Sequence, residues 1–203
     1  MLQKTFFELI ENYSNNQFLK QELWKEIEQN YSSNKRYYHT LNHLENLLNQ
    51  LLEIKYEIEN WNCILFTLFY HDVIYKVTKS NNEEKSADFA LKKMLQLSVP
   101  TSVIESCNNQ ILSTKNHLLN ENTDTNFFLD ADLSVLGQDW NVYSKYYQNV
   151  RKEYSIYPEI LYKLGRKKVL KHFLAMEKIF KTDYFYQKFE KNARMNLQRE
   201  FDL

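Results

Sequence analysis

The sequence predicts an all-α protein, and three observations carry that expectation. Only two glycines and two prolines occur in 203 residues, whereas a β-rich chain of this size would need many more for its tight turns. Apolar residues make up 43% of the chain, enough for a buried core. Along most of the sequence they recur at intervals of three and four rather than two. The expected architecture is one compact helical bundle over residues 1–203, of about eight to ten helices given usual helix lengths.

The elements follow in order. Residues 5–31 read as one or two helices through Phe6, Leu9, Ile10, Leu23, Trp24 and Ile27, and a polar joint runs from Ser32 to Arg36. Thr40 stands at an N-cap, and Leu41, Leu44, Leu47, Leu48, Leu51 and Leu52 form an apolar stripe after it. Asn60 opens a helix that is apolar nearly all round from Trp61 to Tyr75, as suits a bundle centre, and its tail holds His71 and Asp72. After Ser80-Asn81-Asn82, a helix runs from Glu83 to Leu97 with Ala87, Ala90, Leu91 and Met94 inward. Pro100 fits the first turn of the next, through Ile104, Cys107 and Ile111. Residues 120–125 read as a loop, Phe127 to Leu136 as a short helix, and Gly137 as its C-cap. Helices from Trp140 to Tyr154, from Pro158 to Phe180, and from a Thr182 cap to near Phe201 complete the chain.

Twenty-six basic residues balance 26 acidic ones. That leaves no global electrostatic footprint for nucleic acid or an anionic membrane, so neither is expected as a partner. Cys63 and Cys107 stand alone and read as core thiols. Glu8 and Glu11 interrupt the apolar N-terminal residues, against a signal peptide. The longest apolar stretch, Cys63 to Tyr70, is far short of a membrane span. A reducing cytoplasm fits these features, and the aromatic-rich C-terminal helices offer a surface for a homodimer.

The chemistry concentrates in three segments. His39 and His43 are four residues apart, which on or entering a helix turns both rings to one side. With Thr40 as cap, His43 falls in the first turn, where the positive helix end favours the neutral imidazole a metal needs. His71-Asp72 ends an apolar helix, where an unpaired carboxylate is costly. Asp130 and Asp132 sit inside another apolar segment and raise the same difficulty. Two histidines and two aspartates make a mixed nitrogen and oxygen donor set suited to Mn, Fe, Co, Ni, Zn or Mg.

The order His…His-Asp…Asp resembles the signature of the HD-domain phosphohydrolase superfamily. Arg36-Tyr37-Tyr38-His39-Thr40-Leu41-Asn42-His43-Leu44, His71-Asp72-Val73-Ile74-Tyr75 and Asn82-Glu83-Glu84-Lys85-Ser86-Ala87 look like a bacterial group described as predicted metal-dependent HD phosphohydrolases. The run from Phe128 to Gly137, Arg151-Lys152-Glu153-Tyr154, Gly165-Arg166 and Ala193-Arg194-Met195-Asn196-Leu197 are similar to it too. The resemblance extends from about residue 30 nearly to the end of the chain. It implies an HD-type core over about residues 30–180, with terminal helices packed on it. More distantly, Tyr38-His39-Thr40-Leu41-Asn42-His43 and Ala131-Asp132-Leu133-Ser134 resemble segments of cyclic nucleotide phosphodiesterases, with Thr40 where those proteins have Asn.

The distant resemblance implies His43, His71, Asp72 and Asp132 as metal ligands, with Asp130 as the competitor to Asp132. His39 would protonate the leaving oxygen. The reaction implied is hydrolysis of a phosphate ester or anhydride of a nucleotide or related small molecule, by water that the metal activates. Asp72 would orient that water or bridge to a second ion, and Glu84 would hydrogen-bond a water, orient a ligand or serve as a helix N-terminal acid. Candidates for phosphate contact are Arg36, Lys115, His117, Arg151 and Arg166. Two other functions stay open. A helical module that binds a nucleotide or metal without turnover has the same sequence features. An HD-type di-iron oxygenase would need two further histidines between Asp72 and Asp132, where only His117 occurs.

Overall fold

A computed structural model describes all 203 residues, as ten α-helices with two short 3-10 helices and no strand. The contacts divide the chain into two units, Met1–Phe128 and Leu129–Leu203. The first holds α1 (Leu2–Glu11), α2 (Gln17–Tyr31), α3 (Leu41–Glu53), α4 (Trp61–Tyr70), α5 (Asn82–Gln96), α6 (Thr101–Ser113) and the opening turns of α7 (Thr123–Leu133). The second holds the end of α7, a 3-10 turn (Ser134–Gly137), α8 (Trp140–Glu153), α9 (Glu159–Ala175) and α10 (Asp183–Phe201). No helix is long and apolar enough to cross a membrane.

Helix α4 is the centre of the first unit. Every residue from Cys63 to Tyr70 is buried, because α1, α3, α5 and α6 all pack on it. Phe6 of α1 meets Phe69 edge-on at 4.9 Å, and the Thr67 hydroxyl donates to Gln110 of α6. Its N-terminus is capped twice over. The Asn60 side chain accepts from the Cys63 N–H, and the Asp124 carboxylate accepts from the N–H groups of Glu59 and Asn60.

Several boundaries differ from the sequence expectation, each for a local reason. Helix α4 stops at Tyr70 rather than Tyr75. The carbonyls of Asp72 and Val73 are taken by Arg36. The Ser86 hydroxyl accepts from the Ile74 N–H and donates to the Ile74 carbonyl. These partners replace the helical ladder beyond the turn. Helix α7 starts at Thr123, inside the expected loop, because Asn122 accepts from both the N–H and the hydroxyl of Thr125. Thr40 precedes α3, but its hydroxyl makes no capping bond there.

In the second unit, Gly137 is not a left-handed C-cap, since no glycine has positive φ. It is there for room: a Cβ would collide with the Phe189 side chain and lie 2.7 Å from its carbonyl oxygen. The Asn196 amide donates to the carbonyls of Leu136 and Gln138, fixing the same turn to α10. Helix α9 ends at Ala175 rather than Phe180. Beyond it, the Glu190 carboxylate accepts from the Ile179 and Phe180 N–H groups, and Arg194 donates to the carbonyls of Leu174, Met176 and Glu177.

Candidate metal centre

Two segments of the first unit meet at one point. His43 is the third residue of α3 and is buried. His71 is the C-cap of α4, almost fully buried at 1% exposure. Their Nε2 atoms face each other at 3.3 Å. The His71 Nδ1 lies 3.0 Å from the Leu68 carbonyl, which can only accept, so Nδ1 carries a proton, and in the neutral ring Nε2 then presents its lone pair. The Asp72 Oδ2 is 3.4 Å from that nitrogen. An imidazole lone pair and a carboxylate oxygen this close require a positive charge between or beside them. A proton on an imidazole would supply it, and so would a bound cation.

Asp132 joins this group. Ligand atoms of His43, His71 and Asp132 all lie within 4.8 Å of one another. Two nitrogens and a carboxylate converging in this way could hold a metal ion. Burial works to raise the Asp72 carboxyl, but His71, His39 and His43 outweigh it and hold the group well below the usual carboxylate range.

The other aspartate of the pair does something else. Asp130 is fully buried and accepts from the N–H groups of Lys181 and Thr182 and from the Thr182 hydroxyl. The Lys181 ammonium lies 3.7 Å away. Asp130 therefore binds the start of α10, and Asp132 is the carboxylate that lies with the two imidazoles.

His39 stands next to the centre. Its Nε2 is 3.8 Å from Asp72 Oδ2, and its ring stacks on Tyr75 at 4.1 Å and meets Tyr38 edge-on. Arg36, a phosphate candidate from its position in the sequence, turns inward. Its guanidinium donates to the carbonyls of His39, Asp72 and Val73 and stands over the rings of Tyr31, at 4.8 Å, and Tyr75, at 5.5 Å. It is thus a clamp that ties the His39 segment to the His71-Asp72 turn. Tyr31 adds a second tie, its hydroxyl accepting from the Asp72 N–H. Sequence reading passed over Tyr31, because at the end of α2 it looks like any other core aromatic.

The remaining candidates are engaged in contacts of their own. Glu84 and Lys115 pair with each other, and Lys115 also donates to the Ser80 carbonyl. His117 follows α6 with a left-handed backbone, φ 49°. Arg151 donates to Glu159 and to the carbonyls of Tyr154 and Tyr157. Arg166 makes a two-pronged pair with Glu200. Both cysteines are buried, as the sequence leads one to expect.

Comparison with family models, with curated proteins and with solved structures gave no match.

Proposed function

We propose that this chain is a metal-dependent phosphohydrolase of the HD type, cleaving a phosphate ester or anhydride of a nucleotide or related small molecule. One observation carries the reading: the Nε2 atoms of His43 and His71 approach within 3.3 Å, with carboxylate oxygens beside them, in a setting where the histidines are buried. The resemblance of the three motifs to that group supports it from the sequence side. When bound, a divalent cation (Mn, Fe, Co, Ni, Zn or Mg) supplies Lewis acidity and neutralises phosphoryl charge.

The chain's own residues have separate tasks. His43, His71 and Asp132 hold the cation, and Asp72 is the fourth donor or the base that orients water. His39 is placed beside Asp72, 3.8 Å from its Oδ2, and from there would protonate the leaving oxygen. Tyr75 fixes its ring plane. Arg36 keeps the two segments in register.

The test is phosphate release from nucleotides, dinucleotides and a general phosphodiester, with each divalent metal, in wild type and in Asp72→Ala and His39→Ala. Metal-dependent turnover that Asp72→Ala abolishes is the expected result. With His39→Ala, a slow leaving group should suffer far more than p-nitrophenolate, which needs no acid. Thermal stabilisation by nucleotide with no turnover under any metal would replace the hydrolase with a binding module.

A further inference from the structure

We propose that α9 is a peripheral docking helix that seats the protein on an anionic lipid bilayer. The helix is unusually bare. Of its 17 residues only Leu170 is buried. A surface helix normally turns polar residues outward, yet here Ile160 is 76% exposed, Leu161 57% and Leu164 59%, and Ile156 just ahead of the helix is 67% exposed. Four exposed aliphatic side chains thus fall within nine residues.

The charge around that patch says what covers it. Helix α9 carries Lys163, Arg166, Lys167, Lys168 and Lys171 against the single Glu159. Arg166 is paired with Glu200, but no carboxylate pairs with the four lysines, and all four are exposed. At about 100° per residue, Ile160, Leu164, Lys168 and Lys171 fall within about 80° of one another. The outward face is therefore apolar in its N-terminal half and cationic in its C-terminal half. On an acidic membrane the exposed aliphatic groups of the N-terminal half would enter the acyl boundary while the lysine stems of the C-terminal half reach to the headgroups. The alternative of a second copy pairing α9 against α9 sets lysines against lysines, with one glutamate per chain to offset them. A bilayer, unlike a folded partner, also needs no groove to receive protruding isoleucine and leucine.

The experiment is co-sedimentation of the full chain with vesicles of phosphatidylcholine, with and without phosphatidylserine, at low and high salt. The wild type should partition onto the serine-containing vesicles and leave them at high salt. Ile160→Glu with Leu164→Glu should abolish binding, and Lys163→Gln with Lys168→Gln should weaken it roughly thirty-fold, at about one lysine's surface attraction each. All four positions are exposed, so the helical circular dichroism should not change. Sedimentation velocity on the same proteins reads the competing occupant. Failure of the wild type to bind anionic vesicles overturns the proposal, whether or not the protein self-associates through α9. Retention of binding by the Ile160→Glu, Leu164→Glu protein overturns it as well.

Discussion

Three side chains with very different tasks lie within the segments that carry the candidate centre. Arg36 is only 8% exposed and gives its guanidinium to three carbonyls on two segments. Replacing it with Met leaves those carbonyls without a charged donor and should cost about 2–4 kcal/mol in stability. It should also weaken Mn²⁺ binding by about 10–100-fold, the usual effect of losing a group that orients ligands. Calorimetric titration checks this. Arg36→Lys should recover only part of the affinity, because a single ammonium cannot span the Asp72 and Val73 carbonyls as the planar fork does. Asp130 and Asp132 should separate cleanly. Asp130→Ala removes a buried carboxylate from Lys181 and from the start of α10, and chemical denaturation should show a loss of about 3–5 kcal/mol. Asp132→Asn should leave stability nearly unchanged and cut metal affinity instead. If Asp130→Ala loses metal affinity but not stability, while Asp132→Asn loses stability and keeps the metal, the assignment of the two aspartates is reversed.

At the scale of elements, the 3-10 turn after α7 is where one atom decides the packing. Gly137 stands so close to Phe189 of α10 that a methyl group cannot enter without moving backbone. Gly137→Ala should therefore destabilise the protein by at least the 1–3 kcal/mol or so typical of overpacking, although alanine is otherwise the better helix former. Gly165 is the control. Nothing lies within 4 Å of its would-be Cβ, so Gly165→Ala should stabilise α9 by about 0.5–1 kcal/mol. Thermal unfolding of the two variants gives shifts of opposite sign. The contrast also shows what could be read from the chain itself. Periodicity revealed the helices, and the motifs at His39, His43 and His71-Asp72 and the Asp130/Asp132 pair could be picked out by residue type and spacing. The reason for Gly137 could not, because Phe189 is 52 positions away in sequence. Nor could the end of α4 at Tyr70: the apolar pattern continues to Tyr75, and only the distant Arg36 and Ser86 take the backbone groups that would have extended it. Asp130 and Asp132 look equivalent in sequence and differ only through what α10 brings to the first of them.

Across the whole molecule, a net charge of zero coexists with a helix, α9, that carries five cations against one anion. The thiols give a second whole-molecule readout. Cys63 and Cys107 both lie in the core of the first unit, with no exposed sulfur. Burial pushes the Cys107 thiol up to about 12 and raises Cys63 further, so near pH 8 almost no thiolate exists in the native state and no reagent reaches it. Alkylation must then wait for that unit to open, and its rate reports the opening equilibrium. His43 and His71 belong to the same unit. A cation held by them binds the closed form and not the open one, so Mn²⁺ at about a hundred times its dissociation constant should slow alkylation about a hundredfold. Mn²⁺ or Mg²⁺ is the right probe, because Zn²⁺ would bind the freed thiols themselves. In His71→Ala, alkylation should be faster at the start and indifferent to Mn²⁺. Protection by Mn²⁺ that survives His71→Ala would mean the ion sits elsewhere. A wild-type rate unmoved by any divalent ion, at concentrations that saturate a calorimetric titration, would mean that the bound ion does not distinguish the folded first unit from the open one. His43 and His71 would then not be its ligands.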